Sequence, residues 1–286
     1  MSTKYKDLRV DDRDWTKLTF GEQVKMLEVE GYVVLPDVIS ESKIKSLQDQ
    51  LSNVKTKGVD YSERQRTTSD GVEIAFLGGE ITNLIANPPT ISFLERLFGD
   101  ELVLMSYVYA RSEPGHPGMA LHTDGQPWGS EIFGYEGSCP VLIRVLNYLE
   151  DLTLDVSPFR VIPRSHLSLH SEGNPYLRYE SHPDEVKVPV KAGSAVLLNH
   201  KTFHGNYPNT GDYTRELLAI AYRPQWGGPI KEIENFPNEQ VEQLPDNIKV
   251  FFKDKNSRKG DFFGGNKPKD MKSKAPGINV NRWLQK

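Results

Sequence analysis

ELVLMSYVYAR, residues 101–111, marks the point where the chain changes character. It is rich in Val, Leu and Tyr and reads as a β-strand. PVLIRVLNYL (140–149), SPFRVIP (157–163), VKVPV (186–190), SAVLLNH (194–200) and ELLAIAYRP (216–224) follow in the same style. Pro, Gly, Asn and Asp punctuate them, as in an antiparallel sandwich or barrel. Upstream the periodicity is helical. TFGEQVKMLEVEGY opens on a capping-box pair, Thr19 and Glu22, and stops at Gly31. YVVLPDVI (32–39) is a short strand. A second helix begins near Glu41, where Ile44, Leu47, Leu51 and Val54 form one apolar stripe, and ISFLERLFG (91–99) is a third. Helices first and strands later predict a single, mainly β domain with helices packed on one sheet. Its core spans about 20–230. Residues 231–286 read as an irregular, Lys-rich extension anchored by Phe251, Phe252, Phe262, Phe263 and Trp283; composition makes this extension a candidate flap over the active site.

The whole chain has 286 residues, 37% hydrophobic, and a formal net charge of −4. That suits a soluble globular protein and disfavours nucleic acid as a partner. No apolar run approaches the roughly 20 residues of a membrane helix. The charged N-terminus has no signal-like h-region. The single cysteine, Cys139, excludes an intrachain disulfide and suits a reducing cytoplasm. There is no internal repeat.

Seven histidines, at 116, 122, 166, 170, 182, 200 and 204, raise the question of which can meet. In LHTDGQPWG (121–129), His122 and Asp124 are two positions apart. In a strand that spacing points both to one face. Such a pair is a salt bridge, a catalytic pair or two metal ligands. Distant strands can lie side by side in a sandwich, so His204, just after SAVLLNH, is a candidate third group. Two histidines and a carboxylate form a facial triad with open positions, the arrangement of non-haem Fe(II) oxygenases. Zinc competes as the metal, although zinc sites more often recruit Cys. Eleven positions after His204, Arg215 heads an apolar strand. A guanidinium there suits one end of a dicarboxylate whose other end chelates the metal.

Four stretches in order resemble the phytanoyl-CoA dioxygenase family of Fe(II)/2-oxoglutarate oxygenases. EVEGYVVLPDVIS resembles its N-terminal helix–strand entry. HTD with Trp128 resembles its H-x-D-x-x-x-W stretch, and FRVIPRSH its VIPGSH signature. AGSAVLLNHKTFHGN, with the H-x-N…R that follows, resembles the delivery of the distal histidine. The resemblance implies a double-stranded β-helix, or jelly roll. It implies iron held by His122, Asp124 and His204, and Arg215 on the distal carboxylate of 2-oxoglutarate. Asn206 and Trp128 match cosubstrate positions. Tyr107 and Arg111 are candidates for its other oxygens, and Asn147 for cosubstrate or substrate. O2 is the co-reactant and ascorbate an accessory reductant. His200 competes with His204, but only His204 gives the family's eleven-residue gap to Arg215. His166 reads as a structural residue that holds the signature loop by a hydrogen bond. Arg164 stands where the family has a small residue, and LDVSPF replaces its usual acidic-Asn-Gly turn.

The implied activity is hydroxylation of an aliphatic C–H bond in a small molecule, releasing succinate and CO2. A carboxylate at 124, rather than Ala or Gly, leaves no halide site of the kind found in related halogenases. Two other readings stand beside it. One is a cupin-like dioxygenase or isomerase that does not use 2-oxoglutarate. The other is a catalytically silent small-molecule binding protein. Arg160, Arg164 and Arg178 are either selectors of an anionic substrate or surface charge. Substrate identity and oligomeric state are left open.

Overall fold

The computed structural model describes residues 9–58, 71–124, 142–167, 182–225, 236–253 and 284. They form eleven strands: β1 (Arg9–Val10), β2 (Tyr32–Leu35), β3 (Val72–Glu73), β4 (Leu102–Ser112), β5 (Met119–His122), β6 (Ile143–Tyr148), β7 (Phe159–Val161), β8 (Val186–Val188), β9 (Ala195–Asn199), β10 (His204–Asn206) and β11 (Arg215–Pro224). A six-stranded sheet has the order β2-β9-β6-β11-β4-β3, and a five-stranded sheet the order β1-β8-β7-β10-β5. Both sheets are open. All pairings are antiparallel except β1 with β8. β9 and β11, from the C-terminal half, are inserted between β2, β6 and β4, and β10 lies between β7 and β5, so strands distant in sequence pair as in a jelly roll.

The helices are α1 (Phe20–Val29), α2 (Glu41–Leu51), α3 (Gly79–Asn83), α4 (Pro88–Phe98), α5 (Asn238–Glu242) and α6 (Asp246–Lys249). α1 starts where the sequence places it. The Thr19 hydroxyl accepts from the Glu22 N–H, and the Glu22 carboxylate accepts from the Thr19 N–H at 2.8 Å. Ser40 caps α2. Pro88 opens α4 and Gly99, at φ 92°, ends it. Val24, Leu27, Leu47, Leu51, Phe93, Leu94 and Phe98 bury one continuous core with β2, β4, β6, β9 and β11. The helices therefore cover the outer face of the six-stranded sheet and leave its inner face for the site. Among the described residues, no helix is long and apolar enough to cross a membrane.

Two expectations need correction. Residues 236–253 are not irregular: they fold into α5, α6 and a 3-10 turn at Val250–Phe252. Phe251 packs edge-on against Tyr222, and Phe252 meets Phe76 and Phe236. Phe262, Phe263, Trp283 and the flap expected of this extension lie outside the described residues. Arg160 and Arg164 are not substrate selectors. Arg160 is buried in a 2.6 Å ion pair with Glu185, and Arg164 pairs with Glu30 at 2.8 Å. Arg178 is outside the described residues. Arg164 sits at φ 68°, the left-handed region that favours glycine. A small residue there is the relaxed choice; here the Glu30 pair holds the larger side chain in place.

Candidate active site

The two histidines of the triad come from neighbouring strands. His204 of β10 stands directly opposite His122 of β5. Gly205 makes this close pairing possible: a Cβ there would lie 2.5 Å from the Met119 carbonyl oxygen. The imidazole centroids are 4.3 Å apart. Each Nδ1 lies 2.9 Å from a backbone carbonyl, of Ala120 for His122 and of Thr202 for His204. A carbonyl only accepts, so each Nδ1 donates to it, and the Nε2 atoms are the ones turned toward Asp124. Asp124 lies in the bend just beyond β5. Its carboxylate is 3.8 Å from His122 Nε2 and 3.5 Å from His204 Nε2. One ligand atom from each residue lies within 4.8 Å of the others, a spacing that fits a single ion.

The electrostatics suit ligation. Burial opposes ionisation of Asp124, but Arg144, then His204, His122 and His200, outweigh it and hold the carboxyl well below the usual carboxylate range. Burial, with His122 beside it, pushes the His204 imidazole down to about 4. A neutral imidazole and an ionised carboxylate are the metal-binding forms. His200 is also pushed down to about 4 by burial, and its Nδ1 faces the Leu142 carbonyl at 3.1 Å. His200 is thus a neighbour of the triad, and its backbone carbonyl accepts from the Asp124 N–H at 2.8 Å.

A cavity of about 210 Å³ opens from the triad between the sheets. The strand register explains its lining. On β11, Leu217, Ala219 and Ala221 face inward. Opposite them stand Ala110, Val108 and Ser106 on β4, and Tyr148, Leu146 and Arg144 on β6. Arg215 shares this face at the far end, buried, with its guanidinium carbon 6.0 Å from the Tyr148 ring centroid. Asn206 lines the cavity beside His204.

The same alternation turns two sequence-derived candidates away from the cavity. Tyr107 and Asn147 occupy the opposite parity and face the helical layer. The Tyr107 hydroxyl is fully buried and makes no hydrogen bond among the described residues, while Asn147 Nδ2 donates to the Leu218 carbonyl at 3.1 Å. Arg111 reaches the cavity edge, but its guanidinium runs to Glu113 at 3.6 Å and Glu216 at 3.8 Å. Trp128 lies outside the described residues. His166 is structural, with its Nε2 2.8 Å from the Glu28 carbonyl.

Two cavity residues escaped the reading of the sequence. His116 is buried in the wall, its Nδ1 accepting from the Gly118 N–H at 3.0 Å. Arg144 contacts Asp124 itself, Nε to Oδ2 at 2.9 Å. It was visible as the lone charge inside PVLIRVLNYL.

The model of the family described as phytanoyl-CoA dioxygenase matches residues 27–217, two thirds of the chain. The chain belongs to the phytanoyl-CoA dioxygenase family. It is 25% identical over 245 residues to dioxygenase cdmA of Talaromyces verruculosus, covering 79% of this chain and 80% of that protein. Solved structures share the fold. HygX of Streptomyces hygroscopicus, with nickel and 2-oxoglutarate bound, is 19% identical with a TM-score of 0.56; 71% of this chain and 86% of that one are covered. SnoN, a non-haem α-ketoglutarate-dependent epimerase of nogalamycin biosynthesis, is 20% identical with a TM-score of 0.57, covering 77% and 90%. The carbocyclase SnoK of the same biosynthesis is 21% identical with a TM-score of 0.56, covering 75% and 87%.

Proposed function

We propose that this phytanoyl-CoA dioxygenase family member is an Fe(II)- and 2-oxoglutarate-dependent oxygenase that hydroxylates an aliphatic C–H bond of a small molecule. The observation that carries this reading is one cavity holding both parts: the His122, Asp124 and His204 donor set and the buried Arg215. The donors fit the ion, with two Nε2 atoms and one carboxylate converging. When bound, the iron with 2-oxoglutarate and O2 supplies the oxidising chemistry, with succinate and CO2 as co-products.

The chain's own tasks are binding and exclusion. Arg215 takes the distal carboxylate of 2-oxoglutarate by a charge-assisted contact. Asn206, two positions beyond His204 on β10, lines the same cavity. Val108, Leu146, Phe159, Leu217 and Ala219 line the space between clamp and triad with apolar surface. They keep water from the reacting carbon and hold an aliphatic substrate against the metal side.

The test has two steps. Anaerobic Fe(II) and 2-oxoglutarate should together give a visible charge-transfer band that neither gives alone. Turnover with candidate substrates should then release succinate and add one oxygen atom, labelled from 18O2. Iron bound without the band supports the cupin-like reading, and no iron bound removes the triad. A product of unchanged mass or lacking two hydrogens would move the reaction to epimerisation or ring closure, the activities named for SnoN and SnoK.

A further inference from the structure

We infer that Arg144 is the positioning residue of the metal triad, clamping Asp124 so that one carboxylate oxygen is held and the other is presented to the ion. This rests on the reading of His122, Asp124 and His204 as ligands. The three ligands are fixed by different means. His122 and His204 sit in paired strands, opposite one another, and each ring is locked by a hydrogen bond from Nδ1 to a backbone carbonyl. Asp124 has left the strand. Its backbone is tied by one hydrogen bond to His200, so its side chain needs a separate hold.

The register builds that hold. Ala221 of β11 stands opposite Ser106 of β4 and Arg144 of β6. The three side chains form one row on the inner face, with only a methyl group in the middle. Arg144 spans the row. Its Nη1 donates to Ser106 Oγ at 2.8 Å, and its Nε donates to Asp124 Oδ2 at 2.9 Å. Two anchored nitrogens fix the plane of the guanidinium, and the plane fixes the carboxylate. A cation so near a divalent ion repels it. Orientation of the ligand is what offsets that repulsion.

Arg144 is also far from the cosubstrate clamp. Arg215 precedes Ala221 by six positions on β11, about 20 Å along a strand. The two guanidiniums therefore serve opposite ends of the cavity, and their substitution should separate cleanly.

The experiment is an Mn(II) titration of the metal-stripped, full-length protein, read by the electron paramagnetic resonance signal of free Mn(II). Arg144→Gln is expected to weaken Mn(II) binding about 10- to 100-fold. Arg144→Lys keeps the cation but cannot serve both oxygens at once, and should recover part of the loss. The 2-oxoglutarate Kd at saturating Mn(II) should stay within about twofold of the parent. Equal Mn(II) affinity in Arg144→Gln and parent overturns the inference, as does an Arg144→Lys no better than Arg144→Gln. If Arg144→Gln does not fold, Ser106→Ala decides. It removes one neutral hydrogen bond and should weaken Mn(II) about two- to tenfold, and an unchanged Kd overturns the inference. Asp124→Ala separates the two levels: if it binds Mn(II) as tightly as the parent, the triad reading itself fails.

Discussion

β4 and β11 pair over ten positions in the six-stranded sheet, from Arg215 opposite Ser112 to Pro224 opposite Leu102. β5 and β10 meet at two positions in the five-stranded sheet, with a shift of register between them. The long pair packs against α4 and the Val250–Phe252 turn, and its sheet shares one apolar core with α1, α2 and α4. The short pair carries both histidine ligands and owes its closeness to Gly205. Stability and chemistry are thus assigned to different sheets. The long, buttressed sheet is a platform, with Arg215 and Arg144 at its two ends. The short strands bring ligands to that platform, where a small displacement matters most.

Three substitutions test this division. Asp124→Ala should have the largest effect, abolishing 2-oxoglutarate turnover because the triad loses its only charged donor. Its far-UV circular dichroism should match the parent. Turnover by Asp124→Ala at the parent rate would take Asp124 out of the site. Leu94→Ala acts on the other region. Leu94 is fully buried beneath the six-stranded sheet, so truncation should cost about 2–5 kcal/mol in urea unfolding. Mn(II) affinity should be unchanged at temperatures where the variant is folded; a matching loss of affinity would mean the two regions are one unit. Arg215→Ala should raise the 2-oxoglutarate KM by the equivalent of about 2–4 kcal/mol. Its Mn(II) affinity in the absence of 2-oxoglutarate should not move. An unchanged KM would rule Arg215 out as the clamp.

The same division explains what could be read from the sequence. α1, α2, α4, β4, β6, β9 and β11 declare themselves by caps, periodicity and apolar runs, because each is long enough to show a pattern. β5 (MALH) and β10 (HGN) lack the run of Val, Ile, Leu and Tyr that marks β2, β7 and β8, so composition does not announce either as a strand. Their histidines were found only by spacing and chemistry. Tyr107, Arg111 and Asn147 were chosen for their chemistry on strands correctly located. Which face each side chain takes depends on one-residue parity, and the parity is set by pairing across the sheet. Arg144 differs from Asn147 by three positions, and that odd number places one in the cavity and the other under the helices. α5 and α6 have weak local signals and form where Ile248 and Phe251 find the core.

The smallest effect concerns the join between the platform and its helical support. The Glu150 carboxylate accepts from Gln48 of α2 at 2.8 Å and from the Glu216 N–H at 2.7 Å. Burial pushes its carboxyl up to about 7, against the pull of these hydrogen bonds and of Arg215. A carboxyl raised on folding favours its protonated form in the folded state. Its contribution to stability is therefore complete below the ordinary value of 4.5 and is lost as pH rises through about 7. Glu150→Gln removes the charge while keeping a hydrogen-bonding group of the same size. Gln48 can turn its amide to meet the new donor. Between about pH 5 and pH 8 the stability of the variant relative to the parent should climb by up to about 3 kcal/mol, read from urea unfolding. A parallel pH slope in the two proteins would show that Glu150 is not its source. Ionisation of Glu150 also places a negative charge near Arg215, so the parent's 2-oxoglutarate KM should rise over the same range and the variant's should not. Mn(II) affinity should be alike in both proteins, because Glu150 lies at the Arg215 end of β11, away from the triad.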